Sequence, residues 1–172
     1  MSLDQVARGF ARGDPANARK LLRGRGFAPV VVLGKDLRLD GPVARWRPGE
    51  PAWDFGAVSY RLVTRWAAAP ARPVRAYVAT RKAHGLYGGT PQKLGVQAAH
   101  HLGVAEIWLT LREQGRLDGW RLEDGRFTPQ RDKRPDAHLG ETLIDFGGHY
   151  GPARVRELWT LASEGERPIE VW

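Results

Sequence analysis

Six elements can be read in order between Thr90 and Trp172, and that order limits the fold more than any other feature of the chain. "TPQKLGVQAAHHLGVAEIWLTLREQG" opens on Thr90 and Pro91 and runs as a long helix to Gly115. Leu94, Ala98, Leu102, Ala105, Ile107, Leu109 and Leu111 give it a broad apolar face. "GWRLED" reads as a short strand with a turn at Asp124-Gly125. "RPDAHL" and "ETLIDF" read as strands on either side of a turn at Gly140. "GPARVRELWTLASEG" is a helix started by Pro152 and stopped by Gly165, with Val155, Leu158, Trp159 and Ala162 inward. "RPIEVW" closes as a strand. The spacing therefore predicts helix, three strands, helix, strand.

The first 89 residues are less constraining. Ser2 can cap a helix carrying Leu3, Val6 and Phe10 on one face, and Asp14-Pro15 starts a second that stops at Gly24 or Gly26. "APVVVLGKDLRLDGPVARW" reads as short strands with turns at Gly34 and Gly41. A helix capped by Asp54 and ended by Pro70 carries Phe55, Val58, Leu62 and Trp66 as a stripe, with Arg61 and Arg65 one turn apart on another face. "RPVRAYVAT" is a strand, and "TRKAHGLYGG" a short helix or turn. Helices followed by a basic strand could form a winged-helix unit, although many small α+β domains share these parts. The expected class is α+β. The expected division is a basic, DNA-binding region over residues 1–89 and a second domain over 90–172, with the boundary at the Gly-Gly-Thr-Pro of 88 to 91.

Charge points to a partner. Residues 1–90 hold 16 Lys and Arg against 6 Asp and Glu, a net of +10; residues 91–172 hold 11 against 13, a net of −2. A basic half joined to a near-neutral half suggests a polyanion, with DNA the expected partner. An arginine-rich composition would explain the arginines but not why the acids gather in the second half. Arg61, Arg65, Arg72, Arg75, Arg81 and Lys82 lie around the strand at 73–80 and form the candidate DNA face, though any of them could be merely solvated. Trp46 and Trp53 flank a basic loop and could stack on bases, while core or interface anchoring is the commoner role. The chain has no cysteine, which excludes disulfides, thiolate zinc sites and cysteine nucleophiles. No apolar run approaches the roughly 20 residues that span a bilayer, and "MSLDQVARGFARGD" lacks an apolar signal core. The expectation is a cytoplasmic protein with no membrane partner.

The predicted order α-β-β-β-α-β is the core of PD-(D/E)XK nuclease-like domains, and "PDAHL…LIDF" resembles that family's two-strand metal motif. Carboxylates on adjacent strands suit a hard cation such as Mg²⁺, which binds through one or two of them and keeps several waters. The resemblance implies metal-binding roles for Asp136 and Asp145, with Glu106, in "GVAEIWL", as a further acid from the preceding helix. Mg²⁺ is the implied cofactor if such a site is active. Glu106 has a structural alternative, pairing with Arg112 or Arg121. The family's lysine should stand two residues after Asp145, and that position is Gly147. Arg154 and Arg156, or His149, are the candidates to replace it. Arginine never deprotonates, so it could act only as an electrostatic clamp.

"VRAYVATRKAHGLYGG", "HHLGVAEIWLTLR" and "RPDAHL…LIDFGG" together resemble replication-relaxation family proteins of bacterial plasmids and mobile elements. These place a winged-helix region ahead of a nuclease-like domain. The likeness covers roughly residues 50 to 150 and implies DNA binding in replication or mobilisation control, with a degenerate nuclease-like domain. Two alternatives stand beside it. One is a Mg²⁺-dependent endonuclease using Glu106, Asp136 and Asp145, with Arg154 in the lysine's role. The other is a protein-interaction subunit without nucleic-acid affinity, which an exposed apolar patch at Trp159 or Trp172 would favour. A protein partner or a homodimer is compatible with either. Two competing patterns are weak. His100 and His101 are adjacent, so on a helix they point two ways and suit a structural role. "FGGHYG" lacks the spacing of a phosphate loop and reads better as a tight strand-to-helix turn.

Overall fold

The computed structural model describes the chain except for Gly24, Asp36 and residues 88–97 and 124–133. The expected helix start at Thr90-Pro91, Leu94, the boundary at 88 to 91 and the turn at Asp124-Gly125 lie outside the described residues. The described elements run α1 (Leu3–Phe10), α2 (Pro15–Leu22), β1 (Phe27–Lys35), β2 (Ala44–Trp46), α3 (Phe55–Ala68), β3 (Ala71–Ala79), α4 (Arg81–Tyr87), α5 (Ala98–Glu113), β4 (Trp120–Leu122), β5 (Ala137–Leu139), β6 (Thr142–Asp145), α6 (Pro152–Glu164) and β7 (Ile169–Val171). The protein is α+β, and the order from α5 to β7 is the one read from the sequence. Contacts divide the chain into two compact units, each discontinuous in sequence, and one division falls within α5.

The first unit comprises Met1–Asp36 and Pro70–Leu109. Ser2 and Gln5 cap α1 reciprocally: Ser2 Oγ accepts from Gln5 N at 3.0 Å, and Gln5 Oε1 accepts from Ser2 N at 2.9 Å. Asp14 caps α2 through Ala16 N at 2.7 Å, with Pro15 at the first helical position. The two helices bury Leu3, Val6, Ala7, Ala11, Ala18 and Leu22, against which Phe27 and Tyr77 pack. β1 and β3 form an antiparallel ribbon from Phe27↔Ala79 to Lys35↔Ala71. Gly34 therefore lies inside a strand, not at the expected turn. A Cβ there would meet Leu102 Cδ1 at 2.7 Å and Val74 Cγ2 at 3.2 Å, so close packing, not a reversal of the chain, requires glycine.

The second unit comprises Leu37–Ala69 and Thr110–Trp172. Its five-stranded sheet has the order β2-β7-β6-β5-β4. β6 and β7 are parallel and the other neighbours antiparallel. The core joins Ala44 and Trp46 of β2 and Val58 and Leu62 of α3 to Val155, Leu158 and Ala162 of α6, with Leu143, Ile169 and Val171 from the sheet. Each large apolar side chain buried here contributes about 1.5–3 kcal/mol. Trp46 is an anchor of this core: it is 5% exposed, meets Trp159 edge-on at 6.1 Å and donates to Glu50 O at 2.9 Å. It is not available for stacking on bases. Trp172 is fully buried and Trp159 packs partly buried on the core, so neither supplies the exposed patch that the interaction-subunit reading looks for.

Candidate functional site

Asp136 and Asp145 belong to the same unit and to neighbouring strands. Asp136 stands just before β5, and its N–H donates to Ile144 O at 2.9 Å, extending the β5–β6 ladder by one residue. Its Oδ2 accepts from Phe146 N at 2.7 Å, which ties the start of β5 to the end of β6. Asp145 is the last residue of β6 and pairs with Val171, while its carbonyl accepts from Trp172 N at 2.9 Å. Alternation along the strand puts Asp145 on the same face as the core residue Leu143. Its side chain is accordingly buried, with 1% exposure.

A tyrosine and an arginine complete the cluster. The Tyr150 phenol lies within the field of both carboxylates, Asp145 first and Asp136 second. Ser59 of α3, itself buried, donates to Tyr150 O at 2.8 Å and fixes that residue's backbone. Arg154, in the first turn of α6, stands 5.5 Å from the Tyr150 ring centroid and bonds Glu157 Oε2 at 3.1 Å. Burial raises the Tyr150 pKa far above its ordinary value, and the charges of Asp145 and Asp136 push it in the same direction. Burial alone would lower the Arg154 pKa, but the bond to Glu157, the Asp145 carboxylate and Tyr150 outweigh it and the net shift is upward. Neither group exchanges a proton near neutrality. What they supply is a fixed positive charge and a protonated phenol within the field of a buried carboxylate.

Gly147 explains why no lysine follows Asp145 at the spacing of the motif. A Cβ there would run into the Leu62 side chain, reaching Cδ1 at 2.8 Å, and would lie 3.0 Å from Val171 Cγ1. Leu62 and Val171 are both fully buried, so a side chain there forces packed core residues to shift. The position is built around the absence of a side chain. Of the candidate replacements, Arg154 is at the cluster. Arg156 lies over the Phe55 ring at 5.3 Å, and His149 is exposed.

Glu106 has a different setting. It belongs to the first unit, where it is 3% exposed. Arg8 Nη2 donates to its Oε1 at 2.8 Å and Gln5 Nε2 to its Oε2 at 3.3 Å. Its partner is thus Arg8, neither Arg112 nor Arg121. Among the candidate DNA contacts, Arg61 and Arg65 stand on α3 in the second unit, whereas Arg72 and Arg75 on β3 and Arg81 and Lys82 on α4 belong to the first. Burial lowers the pKa of Arg65, the less exposed of the α3 pair. Sequence reading missed Tyr150 and Ser59. Only the spacing of Tyr150 after Asp145, at the mouth of the α6 turn, could have signalled the first.

Among the described residues no group of three or more His, Asp or Glu side chains is placed to hold a metal ion. Asp136 and Asp145 are donors of the right type for Mg²⁺, but a largely hydrated ion needs open space and unspent negative charge. Asp145 is buried at 1% exposure, so its carboxylate lacks the open space that a hydrated ion needs. Comparison of the chain with protein-family models, with curated proteins and with solved structures finds no match.

Proposed function

We propose that the protein binds DNA through its first unit, and that its second unit is a PD-(D/E)XK-like domain whose site has lost cleavage. The observation that carries the reading is how charge divides between the units. The first holds 12 Lys and Arg against 4 Asp and Glu, a net of +8; the second holds 15 against 15, a net of zero. The net charge of the whole chain, +8, thus equals that of the first unit, and the second unit is balanced. Arg72, Arg75, Arg81 and Lys82 lie exposed there and are the phosphate contacts of this reading. The nuclease-like assignment is supported by the element order from α5 to β7, although most of α5 belongs to the first unit, and by the two aspartates on paired strands. Loss of cleavage is supported by Gly147, which admits no lysine, and by Arg154 occupying the charge environment of Asp145. In this reading, which rests on the resemblance over residues 50 to 150, the binding serves plasmid replication or mobile-element control.

The test is a gel shift on supercoiled plasmid across a salt series, with Mg²⁺ or Mn²⁺ present and Asp145→Ala alongside. The expected outcome is a shift that weakens steeply with salt, without nicking. Absence of binding at low salt would sink the reading. Metal-dependent nicking lost in Asp145→Ala would replace it with the endonuclease alternative.

A further inference from the structure

A second basic feature of the first unit is centred on the turn between α1 and α2. The turn between α1 and α2 opens onto a cavity of about 450 Å³ lined by Phe10, Arg12, Asn17, Lys20, Leu21 and Arg25. That volume is in the range of small-ligand sites, roughly 300–1,000 Å³. None of the lining residues is acidic. Three cations, one amide and an aromatic ring therefore face one space. The ring is a prepared platform: Phe10 lies nearly parallel to Trp108, with centroids 5.6 Å apart and planes at 14°, yet remains 52% exposed. Arg12 is held at positive φ (52°), a conformation unusual for a residue with a side chain, and Gly13 follows at φ 80°. This turn sets Arg12 beside the end of α1 where Phe10 stands. Arg12, Asn17, Lys20 and Arg25 are all exposed.

An aromatic face beside clustered cations is the combination that binds an unpaired nucleic-acid strand: the base stacks, and the backbone phosphates meet the charges. A duplex cannot use it in the same way, because its bases are stacked on each other. We propose that this cavity takes an unpaired nucleotide of a nucleic-acid strand, with the base on Phe10 and the neighbouring phosphates on Arg12, Lys20 and Arg25. Asn17 offers a donor and an acceptor to the base edge. The site shares no residue with the duplex contacts proposed on β3 and α4, and its test is independent of theirs.

The test is fluorescence anisotropy with labelled poly(dT), poly(rU) and a duplex, on the full chain and on Phe10→Ala, Phe10→Trp and a Lys20→Ala/Arg25→Ala pair, each checked for an unchanged melting temperature. Phe10→Ala is expected to weaken single-strand binding about tenfold and leave duplex binding within about twofold. Phe10→Trp should retain single-strand binding, and the cation pair should lose it with a shallower salt dependence. Preference for poly(dT) or for poly(rU) would each support the site and assign its sugar. If Phe10→Ala leaves single-strand affinity unchanged, or lowers single-strand and duplex affinity alike, the proposal is overturned. Single-strand binding without duplex binding would uphold the cavity while removing the duplex reading, and the reverse would do the opposite.

Discussion

Each unit buries a glutamate, and the two solve the same problem differently. Glu106 in the first unit is 3% exposed and is held by Arg8 at 2.8 Å, with Gln5 at 3.3 Å. Glu170 in the second is 7% exposed. Its Oε1 faces Arg116 at 2.8 Å and Arg45 at 3.2 Å, and its Oε2 accepts from Trp172 Nε1 at 3.1 Å. The second unit extends this habit elsewhere. Glu123 bridges Arg134 and His138, and His138 meets Arg167 through its other ring nitrogen. Several cations of the neutral unit are thus paired with its acids. In the first unit cations outnumber the acids by eight. The contrast teaches that the second unit balances its cations with acids while the first carries a net positive charge.

The strongest challenge to this contrast is at Gly147. Gly147→Lys restores the residue of the nuclease motif, but it forces a side chain into Leu62 and Val171 and buries a charge. We expect a loss of about 4 kcal/mol or failure to fold, read by urea denaturation. A variant as stable as the parent would mean that the site can hold a lysine and that degeneracy is not built into the packing.

Next in size is the difference between the two glutamates. Arg8→Ala leaves Glu106 with only Gln5 and should cost about 3 kcal/mol. Arg116→Ala leaves Glu170 with Arg45 and Trp172 and should cost about 1 kcal/mol. Equal losses in chemical denaturation would erase the distinction between a lone partner and a shared one.

The surface contrast is tested by salt. Arg75→Ala and Arg81→Ala should each lower the slope of log affinity against log salt by about one, as a lost phosphate contact does. Arg156→Ala, in the neutral unit, should leave the slope unchanged. A slope that responds to Arg156 and not to Arg75 would put the DNA surface on the other unit.

The smallest effect is alkaline. Tyr150 has its folded pKa raised above the ordinary 10.0, so the folded state keeps a proton that the unfolded state releases. Its stabilisation is complete below pH 10.0 and is lost as the pH rises above it. Tyr150→Phe should therefore flatten the alkaline decline in stability. In ultraviolet titration it should remove no phenolate signal near pH 10.0; removal of such a signal would show that Tyr150 ionises normally and is not buried against Asp145.

Much of the local structure was written in short-range signals. Ser2, Asp14 and Asp54 cap α1, α2 and α3, and Pro152 and Gly165 bracket α6, because a cap bonds only to the backbone two or three residues away. The α+β class, the element order from α5 to β7, and the pairing of the strands around Gly140 follow from the same kind of information. So does the charge excess, which is a sum over residues and needs no coordinates. The tertiary structure alone decided the rest. Gly34 looks like a turn until Leu102 is packed against it, and Gly147 looks like a lost lysine until Leu62 fills its place. Arg8 and Glu106 lie 98 residues apart, and Ser59 reaches Tyr150 across 91. No period or spacing encodes such partners. They are chosen by which buried groups must find charge or hydrogen-bond compensation once the cores close. The division of the chain into two discontinuous units has the same origin, since it depends on which surfaces bury one another and not on where the composition changes.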